Sequence, residues 1–382
     1  MKILIVGAGI TGLALACFLR RDPTFQVDII EKSTDWSGFG FTIGILGVGR
    51  RMLGKLGLEG DFDRLGYEIN SIYFSDTGSE HLEKLGHFDS FYKKYEKAYT
   101  HISRKDLHRI LLDHAGVKIQ MGMTLENITQ TASGAEVILS DGTRRNYDLV
   151  VGADGINSKV RELVFPSEKV TYTGNRVWFA WIPRKFVPHQ TMTEIVRGGR
   201  VCNLFDDPTE SCMVLTSRET PKVFDDPKTR MARLGEKFAD FGPPLTDILN
   251  HLKGENFTAI DLGRVDSSWW VNGRVLVIGD AAHAMEPFAG LGASMGMEDA
   301  YVLADELSRA DTSSFAEVEK ALSRYSARRL PRVRAAMRQT RLRHLWLSSS
   351  ITGLSWLLRR MSRFVPIRWF IRDYEELFEK EP

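Results

Sequence analysis

The chain opens on a short apolar run, Ile3-Leu4-Ile5-Val6, that suits a strand buried on both faces of a parallel sheet. Gly7-Ala8-Gly9-Ile10-Thr11-Gly12 follows at once. A helical pattern then runs through Leu13, Ala16, Cys17 and Leu19 before Asp22-Pro23 stops it, and a second apolar strand from Gln26 to Ile30 ends at Glu31. This is one complete strand-helix-strand unit. Two distant stretches repeat the change from buried strand to glycine turn to helix. Leu149-Val150-Val151 breaks into Gly152-Ala153-Asp154-Gly155, and Val275-Leu276-Val277-Ile278 breaks into Gly279-Asp280. Between these lie period-two runs with hairpin signals: Ser71 to Phe74 before Asp76-Thr77-Gly78, Thr171 to Ile182, Met192 to Phe205 bent at Gly198-Gly199, and Cys212 to Thr216.

The first unit carries chemistry. Gly7 allows a tight turn, Gly9 lets the backbone approach a pyrophosphate, and Gly12 lets the helix pack close to the strand. The helix start then faces the phosphates with free N–H groups. An acid, Glu31, stands 19 residues after Gly12, placed to accept hydrogen bonds from an adenosine ribose and to repel a 2′-phosphate. The unit therefore predicts dinucleotide binding, with FAD or NAD favoured over NADP; a solvated strand-end charge is the plainer reading of Glu31.

With 382 residues, 43% apolar and 26% charged, the chain has globular proportions and length for two or three domains. A net charge of +2 gives no global attraction to nucleic acid. The charge is uneven, however: residues 328 to 372 hold twelve Arg, no Lys and no acid. Cys17, Cys202 and Cys212 are odd in number and lack metal-ligand spacing, so neither a disulfide framework nor a metal site is expected. The run ending in Ala14-Leu15-Ala16-Cys17 has the look of a lipoprotein signal, but its glycines fit a phosphate-binding turn, and a cytoplasmic protein is expected. No uncharged apolar window of 18 or more residues predicts a membrane-spanning helix.

Taken together, the Gly7–Gly12 motif, Asp154-Gly155 and Gly279-Asp280, with Ser103-Arg104-Lys105-Asp106-Leu107 as an "R-x-x-L" helix start, resemble the class A flavoprotein monooxygenases, the aromatic hydroxylase family. The resemblance covers residues 1 to 305. It implies an α/β protein: a Rossmann-like FAD-binding domain from 1–70, 99–169 and 263–310, a mostly antiparallel β-sheet substrate domain from 71–98 and 170–262, and a basic helical segment over 311–382. It implies FAD held by Gly7, Gly9, Ile10, Thr11, Gly12, Glu31 and Lys32 at the adenosine end and by Arg104 at the pyrophosphate. Asp280, after Gly279, would bind the ribityl chain. Pro287, Gly290, Gly292, Ala293 and Ser294 would lie beside the isoalloxazine, with helix N–H groups stabilising the reduced ring. Asp154 would brace the cofactor and assist the nicotinamide; helix capping is the plainer role for both Asp154 and Asp280. Two departures lie near the flavin ring. The Gly40 to Gly49 segment lacks the Pro-Asn pair of many relatives, and Ser294 replaces a common Asn.

The reaction implied is hydroxylation by reduced flavin and O2 through a C4a-hydroperoxide, with NADPH or NADH as a transient reductant and an apolar or aromatic small molecule as substrate. The alternatives are a non-oxygenating FAD protein of the same fold and an NAD-dependent dehydrogenase. On Val177-Trp178-Phe179-Ala180-Trp181-Ile182, one strand face carries Val177, Phe179 and Trp181. Registration with the family turns that face toward substrate; sheet-to-helix core is the plainer reading. Trp178 and Trp181 are three apart, on opposite faces, unlike the W-x-W-x-I-P of flavin halogenases. No acid–base residue stands out, and His283 is expected to make a structural hydrogen bond. The tail from Arg328 is helical with breaks expected at Pro331, Ser348-Ser349-Ser350, Gly353 and Pro366. It either packs on the acidic body or lays its arginines and tryptophans on anionic lipid, a peripheral membrane contact.

Overall fold

A computed structural model describes residues 1–36, 40–76, 82–84, 94–95, 97–207, 210–348 and 375–382. The apolar strands assemble into a six-stranded sheet in the order β18 (Val271–Asn272), β19 (Val275–Val277), β12 (Leu149–Gly152), β1 (Lys2–Val6), β2 (Gln26–Glu31), β8 (Ile119–Met121). Its strands are parallel except for β18 at the edge. Because β1, β12 and β19 are adjacent and parallel, the glycine turns that end them leave one edge of the sheet together. A parallel sheet leaves its ligand crevice outside that carboxyl edge. Helix α1 (Ile10–Leu19) packs against both α4 (Arg104–Ala115) and α9 (Gly292–Ser308), and a three-stranded meander, β9 (Leu125–Gln130), β10 (Ala135–Leu139) and β11 (Arg144–Tyr147), leads into β12.

The period-two runs form a second, seven-stranded sheet in the order β17 (Thr258–Val265), β13 (Val170–Ile182), β16 (Ser211–Arg218), β15 (Arg200–Phe205), β14 (Thr191–Arg197), β5 (Ser71–Ser75), β6 (Glu83–Lys84). Only β14 and β5 pair in parallel, as a mostly antiparallel sheet requires. The β14–β15 hairpin turns at Gly198 and Gly199, whose φ angles of 54° and 75° suit glycine. The turn expected at Thr77-Gly78 lies outside the described residues. β17 runs to Val265, so the division expected after residue 262 falls inside a strand that pairs with β13 along most of its length. Alternation along β13 separates two cores. Trp178, Ala180 and Ile182 pack with Leu234 and Phe238 of the α6 (Pro227–Lys237) region and with Leu245 and Ile248 of α7 (Leu245–Asn250). Val177 lies with Val214 and Leu262 on the other side, toward the parallel sheet. A small sheet of β3 (Thr42–Leu46), β7 (Tyr99–Ser103) and β4 (Tyr67–Glu68) bridges the two large ones, next to α2 (Gly47–Leu56) and α3 (Glu59–Leu65).

The basic tail corrects one expectation. Proline removes an i→i−4 hydrogen bond and crowds the preceding turn, yet α10 (Phe315–Ser348) is one helix straight through Pro331. Its neighbours are held to α9 on either side of the proline: Arg328 pairs with Asp305 and Glu306 at 2.6 and 2.7 Å, Arg329 with Asp299 at 2.6 Å and also with Glu298, and Arg332 with Glu298 at 2.6 Å. Further on, Arg343 reaches Glu194 of the second sheet at 3.1 Å. The arginines of α10 thus meet acids of the body. Gly353, Trp356, Pro366, Trp369 and Arg359 to Arg372, on which lipid contact would depend, lie outside the described residues. Among those described, no helix is long and apolar enough to cross a membrane.

Candidate active site

Three glycine turns meet at the carboxyl edge of the parallel sheet. Gly7 has a φ of 102°, and a Cβ there would lie 2.5 Å from the Ala153 carbonyl oxygen, so the first turn presses against the second. A Cβ on Gly12 would strike the Gly7 carbonyl. Gly9 differs: a Cβ there would meet nothing within 4 Å, so the loop backbone borders open space. Gly9 caps α1 without a side-chain bond, leaving the N–H groups of Ile10, Thr11 and Gly12 pointing out of the helix start. Thr11 is wedged against Gly279 of the third turn and Gly296 of α9, where side chains would collide. Glu31 accepts hydrogen bonds from Ala8 N and Ser33 N, both at 2.9 Å, which fixes its carboxylate at the loop; Lys32 beside it is exposed.

Arg104 begins α4, exposed, with its N–H on the Phe41 carbonyl at 2.8 Å. Its positive charge works against protonation of both His108 and Asp280. His108, one turn further along α4, lies with Nε2 2.8 Å from the Ala8 carbonyl oxygen and packs its ring against Trp36 in a tilted arrangement, centroids 4.7 Å apart. Burial pushes its pKa down, which keeps the imidazole neutral and able to donate to that carbonyl. The sequence reading missed His108; its i,i+4 spacing from Arg104 was the available signal.

The two Gly-Asp turns carry different loads. Asp154 Oδ1 accepts from Ser158 Oγ at 2.5 Å and its Oδ2 from Lys159 N at 2.6 Å and Val160 N at 3.2 Å, so both oxygens are held at the start of α5 (Lys159–Val164), one on the capping serine and one on helix N–H groups. Burial raises its pKa against these bonds. Arg161 of α5 in turn donates to the Ala281 carbonyl at 2.8 Å, tying the second turn to the third. Asp280 opens α8 (Asp280–His283) but caps nothing, and it makes no hydrogen bond or ion pair to a described residue. It is exposed, yet protein surrounds it closely enough for desolvation to raise its pKa, with His283 and Arg104 opposing the shift.

Behind Asp280 the third turn is anchored in full burial. Asp299 of α9 accepts from Gly279 N at 2.8 Å, lies 2.6 Å from His283 Nε2, and takes Arg329 Nε at 2.6 Å. His283 therefore has the structural partner expected of it. On the cleft side, Pro287 is exposed, Gly290 takes a φ of 63°, and Gly292 and Ala293 are half-buried at the uncapped start of α9. Ser294 is buried and its hydroxyl accepts from Leu46 N at 3.3 Å, so it faces β3.

The second sheet faces this edge with an aromatic wall. Phe41, from the segment after Gly40, stacks on Phe179 at 4.6 Å and lies parallel to Trp181 at 6.5 Å. Trp181 Nε1 donates to the Gly40 carbonyl at 2.9 Å. Val177, Phe179 and Trp181 share a cluster with Phe205 and with Phe288, which follows Pro287. The structure thus brings together all three residues of the expected face and adds Phe41 and Phe288, which sequence reasoning missed because their partners are far away in the chain. No group of His, Cys, Asp and Glu among the described residues is arranged to hold a metal. The open space at Gly9, the free helix starts and the unpartnered Asp280 fit a long dinucleotide carrying both phosphates and hydroxyls.

Comparison with known proteins agrees. The FAD binding domain family matches residues 1–230 and 246–340. The chain is 31% identical to a 2-heptyl-3-hydroxy-4(1H)-quinolone synthase of Pseudomonas aeruginosa, over 80% of each chain. It is 29% identical to a 3-amino-4-hydroxybenzoate 2-monooxygenase of Streptomyces platensis, over 90% of this chain and 87% of that one. Klebsiella pneumoniae HpxO, solved with FAD and uric acid, shares the fold at a TM-score of 0.89 and 24% identity, over 100% of this chain and 97% of that one. The chain belongs to the FAD binding domain family and is an FAD-dependent monooxygenase of the class A, aromatic-hydroxylase type.

Proposed function

We propose that FAD lies along the carboxyl edge of the parallel sheet and that the chain uses NAD(P)H and O2 to hydroxylate an aromatic or apolar small molecule held against Val177, Phe179 and Trp181. The observation that carries this reading is Asp280: an accessible, desolvated carboxylate with no hydrogen bond or ion pair to a described residue. When bound, FAD supplies the electron transfer and the activation of O2. The chain supplies the rest. The N–H groups of Ile10, Thr11 and Gly12 meet the pyrophosphate with Arg104 alongside, and Glu31, whose oxygens keep free lone pairs, accepts from the ribose. Asp280 accepts from the ribityl hydroxyls. The start of α9 at Gly292 and Ala293 directs positive dipole ends at the ring, and Pro287 and Gly290 set its distance from the aromatic wall. Asp154 acts through α5 and Arg161 by holding the second turn against the third.

Phe41, Phe179, Trp181 and Phe288 exclude water and present flat faces to an aromatic ring. The named activities of the quinolone and aminohydroxybenzoate relatives support an aromatic substrate. A reducing, cytoplasmic setting is supported by three free, buried thiols, two of which burial pushes up to about 11 (Cys17) and about 12 (Cys212). Lipid contact by residues 349–374 is a separate expectation, tested by sedimentation of the full chain with anionic vesicles. For the main reading, the purified chain is expected to release FAD on denaturation and to oxidise NAD(P)H in air faster when given a member of a panel of phenols, aminohydroxybenzoates and 4-hydroxyquinolines, with an oxygenated product. A flavin-containing protein that no panel member stimulates would remove the hydroxylase reading.

A further inference from the structure

Strand β7 carries a buried histidine whose ring nitrogens are both unmet. Alternation along β7 sends Ile102 into the core of the parallel sheet and turns Tyr99 and His101 the other way, toward the second sheet. The His101 ring meets Phe205 at 4.7 Å, and Phe205 belongs both to the aromatic wall and to the adjoining cluster of Ile69, Ile72 and Met192. It also meets Tyr99 edge-on at 4.8 Å. The Tyr99 hydroxyl lies 3.3 Å from the place a Cβ on Gly290 would take, so Tyr99 links His101 to the turn that the FAD reading sets beside the isoalloxazine. His101 is 1% exposed, and neither Nδ1 nor Nε2 has a hydrogen-bond partner among the described residues. A buried polar group without a partner is destabilising, and here the fold leaves two on one ring.

Desolvation pushes the imidazole pKa down to about 3, so the ring is neutral, with one nitrogen able to donate and the other to accept. The charged groups beside Tyr67, its cross-strand neighbour, close on each other: Tyr67 donates to Asp206 at 2.7 Å, and Asp206 takes Arg184 at 3.2 Å. The charge felt at Cys212 of the wall is negative. Burial pushes that thiol up, the Thr42 N–H opposes, and the Asp207 carboxylate raises it further.

We propose that His101 recognises the polar group of the substrate, and that it selects an uncharged hydroxyl, carbonyl or ring N–H over a carboxylate. The proposal rests on the hydroxylase reading above. An uncharged group that donates or accepts satisfies a free nitrogen of the imidazole. A carboxylate would need a counter-charge that the neutral ring does not carry, and Asp207 repels it. Phe179, Trp181 and Phe205 cover the flat of the substrate, and His101 sets which edge of it comes to the Tyr99 side.

The test uses the FAD-loaded full chain and three compounds built on whichever panel scaffold stimulates the wild type: the hydroxy compound, the same compound with a carboxylate, and the parent ring without oxygen. For the quinolines these are 4-hydroxyquinoline, 4-hydroxyquinoline-2-carboxylate and quinoline. Binding is read from the change in flavin absorbance and turnover from NAD(P)H oxidation. The wild type is expected to bind the hydroxy compound roughly 10-fold or more tighter than either of the others. His101→Phe keeps the ring contacts and removes both nitrogens, so it should retain FAD and melt no lower than wild type in the apo form. Its dissociation constant for the hydroxy compound should rise about 10- to 100-fold, while that for the parent ring changes little. His101→Gln, which restores an uncharged donor and acceptor, should recover part of the loss. An equal loss for the hydroxy compound and the parent ring would show that His101 only shapes the wall, and tighter wild-type binding of the carboxylate would contradict the selection; either overturns the proposal. If His101→Phe fails to fold or to hold FAD, wild type with isotope-labelled histidine carries the test by NMR. The His101 ring nitrogen signals should move with the hydroxy compound and stay with the parent ring, and signals that stay with both overturn the proposal. If no panel compound stimulates the wild type, it is the hydroxylase reading that fails, and the proposal falls with it.

Discussion

Asp154 and Asp280 occupy equivalent places in two strand-glycine-helix turns, yet they have opposite fates. Asp154 is spent on its own helix, with three donors on two oxygens. Asp280 makes no hydrogen bond or ion pair to a described residue and is exposed. The difference lies in where the next helix begins. After Asp154 the chain makes further turn residues before α5 begins, so the side chain reaches back over the helix start. After Gly279 the helix begins at Asp280 itself, which turns the carboxylate away from the first-turn N–H groups. An Asp beside glycine at a strand end therefore announces a turn, and the helix start decides whether that acid is structural or free to bind.

The largest expected effect lies behind the free acid. Arg329→Met removes the cation from Asp299 in full burial, while Glu298 keeps Arg332, and breaking a buried pair at one partner costs about 3–5 kcal/mol. Thermal melting should show the loss in both apo and FAD-loaded protein, because Asp299 holds Gly279 as well. A Tm near that of wild type would mean that the anchor contributes nothing and that the turn keeps its shape unaided.

Asp280→Asn should come next, and it should separate binding from folding. A hydrogen bond to a charged group contributes about 1.5–3 kcal/mol, so the FAD dissociation constant is expected to rise by roughly 10- to 100-fold in a fluorescence titration. The apo protein should behave in the opposite sense. Folding raises the Asp280 pKa, so its contribution is fully present below the ordinary carboxylate pKa and is lost as pH rises through the folded value. At neutral pH the ionised side chain works against the apo fold. Apo Asp280→Asn should therefore melt higher than wild type at neutral pH, and the gap should close as pH falls below the carboxylate range. A gap that widens on acidification would refute this assignment of the shift.

Asp154→Ala is the mirror case. Losing the cap should cost about 1–2 kcal/mol of stability, while the FAD affinity of the folded fraction changes far less than in Asp280→Asn. A larger affinity loss than stability loss would erase the distinction between the two acids.

The parts of this site legible in the sequence were those encoded within a dozen residues. Gly7 and Gly12 announce a turn because the fold needs glycine there, Gly9 marks the open position between them, and alternation along 177–182 showed which residues share a face. What the sequence hid depends on distant partners. Phe41 joins the aromatic wall because Trp181 bonds to Gly40, across more than a hundred positions. Pro331 reads as a break until the ion pairs to α9 on both sides of it are seen. Local rules foretell local geometry, and long-range electrostatics decided the remainder.

The smallest effect tests the first turn against itself. Gly12→Ala places a methyl into the Gly7 carbonyl, so the backbone must move and stability should fall. Gly9→Ala meets nothing within 4 Å, and the position has a φ of −75° that alanine adopts without strain. Replacing glycine at such a position stabilises by about 0.4–1 kcal/mol through the unfolded chain, so apo Gly9→Ala should melt slightly higher than wild type. The same methyl would occupy the space reserved for the pyrophosphate, and FAD binding should weaken. A variant that gains stability while losing affinity marks Gly9 as a glycine kept for the ligand; one that holds FAD as tightly as wild type would place the phosphates elsewhere along the edge.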